Sequence, residues 1–75
     1  MKKHCYFYFS GYYLTVAASN LLNRYRIPNR VIKAPVSAQK GCRFALVVDA
    51  EDAARSTTFL EKERVRYDSY EIISQ

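Results

Sequence analysis

The sequence predicts an α+β fold of the ferredoxin-like type, a βαββαβ plait, and three observations support this prediction. Four runs rich in aromatic or β-branched residues alternate with two helical patterns in that order. The two predicted helices have similar lengths, and no linker or low-complexity tract interrupts residues 1–75, which we expect to form a single domain. Right-handed crossovers then place the strands in one antiparallel four-stranded sheet, in the order 4-1-3-2, with both helices on one face.

The first half of the chain has the clearest patterns. Residues 4–9 form an aromatic-rich strand, and Ser10-Gly11 ends it and can cap the following helix. That helix ends at Ile27-Pro28, because the residue before a proline is disfavoured in the α region. The helix is predicted by a single apolar stripe at helical spacing, formed by Leu14, Ala17, Ala18, Leu21, Leu22 and Tyr25.

The second half begins with residues 29–34, which mix charged and apolar positions as an edge strand does. Residues 35–41 are predicted as a loop, and the apolar residues 43–48 as a central strand. Asp49 is the expected N-cap of the second helix, and residues 66–73 form the last strand. The apolar pattern of the second helix is weaker and is carried by Ala53, Thr57, Leu60 and Arg64.

Charge is unevenly distributed along the chain. Residues 1–48 contain eight Lys and Arg residues and no acidic residue, whereas residues 49–75 contain all seven acidic residues and carry a net charge of −3. This asymmetry is typical of a surface that contacts an anion, or of two halves that attract each other. Two cysteines are too few for a disulfide framework, no signal peptide is visible, and no apolar run approaches the roughly 18 residues of a membrane span. We therefore expect a cytoplasmic protein that does not contact the membrane.

The residue inventory excludes several kinds of active site. His4 and two separated cysteines cannot supply the four ligands of a structural zinc site. Gly11 and Gly41 are the only glycines, so no phosphate-binding glycine loop is possible. No metal and no cofactor are expected, and the residue inventory favours a binding protein over an enzyme.

Cys42 is the residue that most strongly indicates a function. Lys40 and Arg43 flank it, and cationic surroundings favour the reactive thiolate. In the predicted sheet, the start of the third strand lies beside the Ser10-Gly11 turn and the first helix, whose N-terminal N–H groups stabilise an anion. The alternative is a cysteine that is merely packed at the start of a strand. The candidate site comprises Cys42 as the reactive residue and an anion-binding set formed by Ser10, Gly11, Tyr12, Lys40, Gly41 and Arg43.

Cys5 is predicted to have a different role. It lies at the other end of the first strand, about four residues at roughly 3.3 Å each from the end where Cys42 is expected. That separation exceeds the reach of a disulfide bond. Cys5 is therefore interpreted as a small buried apolar residue.

Several short motifs follow one another along nearly the whole chain. They are the aromatic strand ending in Phe9, Leu21-Leu22 before Ile27-Pro28, the Pro35 turn, residues 37–42 running into Phe44-Ala45-Leu46, Asp49-Ala50-Glu51-Asp52, Tyr67 and Tyr70. Their order resembles that of the selenium/sulfur (Se/S) carrier protein-like family. The resemblance implies a cytoplasmic protein that holds sulfur or selenium on Cys42 and exchanges it with donor and acceptor proteins. A glycine usually follows the cysteine in that family, whereas this chain has Arg43 there.

The RNA-recognition motif offers a second interpretation. Lys40, Gly41 and Phe44 fit its octamer, which begins Lys/Arg-Gly-Phe/Tyr-Gly/Ala-Phe. Cys42 and Arg43 occupy positions that need an aromatic and a small residue. Nucleic-acid binding is therefore a less favoured alternative.

The third interpretation is a dimeric regulatory or interaction domain. Alternation along the strands predicts that Phe7 and Phe9 face the helices. A homodimer would then form through the open face of the sheet or through pairing of sheet edges. Stacking of bases on the open face is the corresponding expectation for nucleic-acid binding. The residues predicted on this open face are Tyr6, Tyr8, Phe44 and Leu46.

Overall fold

The computed structural model describes residues 2–34 and 44–74. Their elements are β1 (Lys3–Phe9), α1 (Tyr12–Arg24), β2 (Arg30–Lys33), β3 (Phe44–Asp49), a 3-10 turn (Ala50–Asp52), α2 (Ala53–Lys62) and β4 (Ser69–Ser74). The strands form one antiparallel sheet in the order β2-β3-β1-β4, which is 4-1-3-2 read from the other edge. The predicted ferredoxin-like α+β plait is therefore confirmed.

The main core lies between the sheet and the two helices. Cys5, Phe7 and Phe9 of β1 are fully buried on the face that the helices cover. Leu22 of α1 and Leu60 of α2 join this cluster, so both helices pack on the same face. Alternate residues of β1 supply this core because successive side chains of a strand point to opposite faces.

The register between β1 and β3 corrects the predicted faces of β3. Phe9 is opposite Phe44 and Phe7 is opposite Leu46, and residues directly opposite each other point to the same face. Phe44 and Leu46 therefore lie on the helix side, and Leu46 is fully buried in the main core. The prediction that both residues belong to the open face was wrong by one position in the alternation.

A second cluster lies on the face of the sheet that the helices do not cover. It consists of Tyr6, Tyr8, Ala34, Ala45 and Val47, with Ile32 and Ile73 packed against it. Tyr6 and Tyr8 are only 5% and 3% exposed, and their rings stack with centroids 6.5 Å apart. This face is therefore much less accessible than the sequence analysis predicted.

Both helices end in the same backbone arrangement. After α1, Arg26 has a positive φ of 59°, and the Ile27 N–H donates to the Leu22 carbonyl at 3.0 Å. After α2, Arg64 has a φ of 58°, and the Val65 N–H donates to the Leu60 carbonyl at 2.9 Å. These are Schellman motifs, in which the bonds satisfy carbonyls at the helix end. α1 therefore ends at Arg24 through this motif and not through the effect of Pro28.

Other predicted boundaries shift by a few residues. Asp49 precedes the 3-10 turn, and Asp52, which accepts two hydrogen bonds from Arg55, is the N-cap residue of α2. In α1 the buried stripe includes Thr15, whereas Leu14 is 38% exposed. The last strand begins at Ser69 rather than residue 66, because its pairing with β1 starts at Ser69, opposite Tyr8.

Candidate functional site

The N-terminus of α1 is open among the described residues. Gly11 is the N-cap residue, with extended backbone angles, and no side chain caps this end in the part of the chain that the structure describes. The first turn contains no acidic residue. A helix N-terminus of this kind presents N–H groups and a positive dipole end to an anion.

The surroundings of Gly11 leave space beside that helix end. A Cβ atom placed on Gly11 would meet no described atom within 4 Å. The Gly11 carbonyl points into the helix instead, where it accepts hydrogen bonds from the Thr15 N–H at 3.3 Å and the Thr15 hydroxyl at 2.8 Å. Ser10 and Tyr12, on either side of Gly11, are exposed. The two ends of the predicted group Ser10, Gly11 and Tyr12 are therefore accessible to solvent.

β3 begins beside this helix end. Phe44, the first residue of β3, is opposite Phe9 of β1 on one side and Lys33 of β2 on the other. Its ring meets the ring of Tyr12 edge to face, with centroids 5.1 Å apart. The chain therefore enters β3 next to the first residue of α1, two positions after Cys42 in sequence.

The predicted site falls in two parts. Ser10, Gly11 and Tyr12 are described, and they follow Phe9, which is opposite Phe44 at the start of β3. The other four residues, Lys40, Gly41, Cys42 and Arg43, lie outside the described residues. Their assignment to the site stays a prediction.

Cys5 has the environment of an unreactive thiol. It is a free cysteine, fully buried in the main core, and opposite Val48 in the sheet. Burial raises the pKa of the Cys5 thiol to about 11, because a thiolate is poorly solvated in an apolar environment. The interpretation of Cys5 as a packing residue is confirmed, which leaves Cys42 as the candidate reactive thiol.

Sequence analysis missed the contact between Tyr12 and Phe44. The signal that could have found it is the pairing of the last aromatic residue of β1 with the first of β3, which fixes the face of Phe44. It also missed a small cluster of polar side chains at the other end of β1. There Asp49 lies 3.6 Å from Lys2 Nζ and 3.7 Å from His4 Nε2. In residues 2–34 and 44–74 no group of three His, Cys, Asp or Glu side chains could hold a metal ion.

Comparison with known families identifies the family of this chain. The family model described as "Putative Se/S carrier protein-like" matches residues 4–71. The match covers most of the chain, from His4 in β1 to Glu71 in the middle of β4, and the chain therefore belongs to the Se/S carrier protein-like family. No curated protein matches it. Among the described residues, neither helix is long and apolar enough to cross a membrane.

Proposed function

We propose that the protein carries sulfur or selenium as a persulfide or perselenide on Cys42. The observation that carries the proposal is the pairing of Phe44 with Phe9, which brings the start of β3 to the uncapped N-terminus of α1. The family membership supports the same chemistry. In this reading Cys42, two residues before Phe44, reaches a region that favours a negative charge.

The transfer is a thiol exchange reaction that needs no metal and no cofactor. The Cys42 thiolate attacks the outer sulfur of a donor protein's persulfide. The donor's S–S bond breaks, a new S–S bond forms on Cys42, and the donor leaves as a thiolate, so the step involves no net oxidation. Delivery to the acceptor thiol repeats the exchange, with the acceptor as the attacking group. A selenium atom would be carried in the same way.

The anion-binding set stabilises the negative charge of Cys42 both as the free thiolate and as the persulfide or perselenide. Backbone N–H groups at Ser10, Gly11 and Tyr12 would lie around the thiolate or the terminal chalcogen. Lys40 and Arg43 add positive charge that lowers the pKa of the Cys42 thiol and attracts the incoming anion. Gly41 allows the backbone to approach the site closely. Arg43 thus supplies a cation where the family usually has glycine.

The partners in this proposal are proteins. A donor and an acceptor that each present a thiol or persulfide are required, and both exchange steps suit the reducing cytoplasm, where free thiols persist. In this proposal the protein is a carrier that holds the atom between the two exchange steps, and Cys42 returns to its starting state when the acceptor removes the atom.

The rate of Cys42 alkylation against pH tests the proposal. Iodoacetamide should modify Cys42 in the native protein with an apparent pKa well below the ordinary thiol value of about 8.5. The Cys5→Ala variant should react at the same rate, because Cys5 is buried. A Cys42 pKa at or above the ordinary value, or no reaction without denaturant, would remove the mechanism.

The RNA-binding alternative finds little support in the sheet surface. Base stacking needs exposed aromatic rings, and Tyr6 and Tyr8 are 5% and 3% exposed. Phe44 lies on the helix side against Tyr12. A homodimer through the open sheet face would rely on the same two tyrosines, and it stays an untested prediction.

A further inference from the structure

α1 and β2 carry cations that the described chain does not neutralise. Residues 12–33 contain four Arg or Lys residues and no acidic residue. All four are exposed, and within residues 2–34 and 44–74 none of them forms an ion pair. They are Arg24, Arg26, Arg30 and Lys33. By contrast, Arg55 on α2 pairs with Asp52 at 2.7 Å. This part of the molecule therefore presents positive charge to an approaching partner.

The solvent-facing stripe of α1 connects this charge to the candidate site. Tyr13, Asn20 and Arg24 share one side of the helix at helical spacing, away from its buried residues Thr15, Ala18, Leu21 and Leu22. Tyr13 is 84% exposed and follows Tyr12, whose ring contacts Phe44 at the start of β3. Arg24 lies at the other end of the stripe, about 16 Å along the helix axis.

Lys33 adds a cation beside the N-terminal end of this stripe. It is opposite Phe44 in the sheet, so it points to the helix side, and the ring of Phe44 contacts Tyr12. α1 packs against β2, the strand that contains Lys33. Tyr13, Arg24 and Lys33 together define a surface that we call the α1 flank. It combines an exposed aromatic ring near the start of β3 with unpaired cations.

We propose that the α1 flank docks the donor and acceptor proteins through an acidic surface on each of them. This inference rests on the proposed function, which requires both partners to reach the N-terminus of α1. A partner that places its thiol there also covers Tyr13 and Lys33, which lie next to that helix end. Acidic side chains of the partner pair with Lys33 and Arg24, which steers the encounter and disfavours basic proteins. An apolar side chain of the partner packs on Tyr13, a residue type that often anchors interfaces.

A protein is favoured over a nucleic acid because the flank offers few rings for stacking. Single strands bind by stacking successive bases on successive aromatic side chains. Tyr12 is engaged edge to face with Phe44, and the next exposed apolar residue after Tyr13 is the aliphatic Leu14. One free ring beside an aliphatic side chain and cations is instead typical of a protein interface with an apolar centre and a polar rim.

A nuclear magnetic resonance titration of the Cys42→Ser protein tests the docking surface without any chemistry at Cys42. The probe is a synthetic peptide in which glutamates surround one leucine, and the control peptide has lysines in place of the glutamates. The acidic peptide should shift the amide signals of α1 and Lys33 more than those of α2, and added salt should weaken the shifts. The lysine peptide should leave these signals unchanged. Shifts confined to other surfaces, or none at millimolar acidic peptide, would overturn the proposal.

Charge reversal at matched positions separates the flank from the net charge. Arg24→Glu and Lys62→Glu make the same change in the last turns of α1 and α2. Arg24→Glu and Lys33→Glu should each weaken binding of the acidic peptide at least about threefold, whereas Lys62→Glu should change it much less. Tyr13→Ser should also weaken binding, and circular dichroism establishes that each variant is folded.

Two results of these comparisons would overturn the proposal. Equal losses in Arg24→Glu and Lys62→Glu would show that only the net charge attracts the peptide. Tighter binding of a single-stranded RNA oligonucleotide of the same charge would assign the flank to a different class of partner.

A thiol exchange assay distinguishes a failure of docking from a failure of the carrier function. Each peptide carries one cysteine as a mixed disulfide with thionitrobenzoate. The Cys42 thiolate of the Cys5→Ala protein attacks the peptide sulfur, the disulfide breaks and coloured thionitrobenzoate leaves. The acidic peptide should react faster than the lysine peptide, and Arg24→Glu should reduce this preference. Equal rates would overturn the docking proposal alone. No release from either peptide would overturn the carrier function, and with it the assignment of the flank to donor and acceptor proteins.

Discussion

Tyr12, the first residue of α1, meets Phe44, the first residue of β3, edge to face with ring centroids 5.1 Å apart. This contact ties the start of a central strand to the N-terminus of a helix. Since Phe44 is also opposite Phe9, the chain has little freedom in where it enters β3. The carrier proposal depends on this arrangement, because it places the start of β3 beside N–H groups that favour an anion.

The Tyr12–Phe44 contact should have a measurable energy of its own. Edge-to-face aromatic pairs contribute about 0.5–1.5 kcal/mol beyond the area they bury. A double-mutant cycle of Tyr12→Leu and Phe44→Leu, followed by urea unfolding, should give a coupling energy in that range. Additive effects of the two substitutions would show that the rings do not stabilise each other.

Substitution of Gly11 separates helix capping from anion binding. Gly11→Ser and Gly11→Asp both supply a side-chain acceptor at the N-cap, and each should raise the free energy of unfolding by a few tenths of a kcal/mol up to about 1 kcal/mol. The added Cβ meets no described atom within 4 Å, so the backbone can stay in place.

The two Gly11 variants should differ at Cys42. The Asp carboxylate would repel a thiolate and should raise the pKa of Cys42, whereas the uncharged Ser should change it much less. Alkylation rates against pH measure both. Equal Cys42 pKa values in the Asp and Ser variants would mean that Cys42 does not sense the charge at this helix end.

At the positive-φ position of each helix ending, glycine should give a more stable protein than the arginine that is there. Arg26 and Arg64 have left-handed backbone angles, which cost a non-glycine residue about 1–2 kcal/mol. Arg26→Gly and Arg64→Gly should therefore each stabilise the protein, by about 0.5–1 kcal/mol after the greater flexibility of glycine in the unfolded chain is counted. Thermal and urea unfolding measure the change, and Arg30→Gly, in a strand, should destabilise instead.

The burial of Cys5 predicts that the protein loses stability in alkaline solution. Its pKa is raised to about 11 in the folded protein, so the unfolded chain releases this proton first as pH rises. The contribution of the buried, protonated Cys5 to the free energy of unfolding is complete below the ordinary thiol pKa of about 8.5. It declines above that pH and is lost by about pH 11. The full effect is about 3 kcal/mol.

A variant isolates the Cys5 contribution from that of other groups titrating in this range. Cys5→Ala should be less stable at neutral pH, because it leaves a cavity in the main core, but its stability should fall less steeply above pH 9. Urea unfolding at several pH values compares the slopes. Parallel curves for the two proteins would contradict the predicted ionisation of Cys5.

The element order and sheet topology could be predicted because hydrophobic periodicity and crossover handedness constrain them strongly. The side chains of β3 that face the helices could not be predicted from the sequence. Residues 44–48 are all apolar, and both faces of the strand are buried, so the pattern contains no alternation to indicate which residues face the helices. Only the pairing of Phe44 with Phe9 fixes the face of each side chain.

The Schellman motifs were also hidden from sequence reasoning, because arginine stands where glycine usually signals them. The structure nevertheless reveals a short repeat. Leu22 to Ile27 reads Leu-Asn-Arg-Tyr-Arg-Ile, and Leu60 to Val65 reads Leu-Glu-Lys-Glu-Arg-Val. In each, leucine accepts the final bond from a β-branched residue and arginine adopts the positive φ. At the candidate site, the strand order predicted correctly that the start of β3 lies beside the end of β1, where Phe44 is opposite Phe9.

Mass spectrometry of the intact native protein tests the central claim most directly. The protein is exposed to sulfide or selenide together with an oxidant, which removes the two electrons that persulfide formation releases. We expect an added mass of one sulfur or one selenium atom, which Cys42→Ser abolishes and Cys5→Ala retains. An unmodified protein, or an added atom that persists in Cys42→Ser, would contradict the assignment of the carrier function to Cys42.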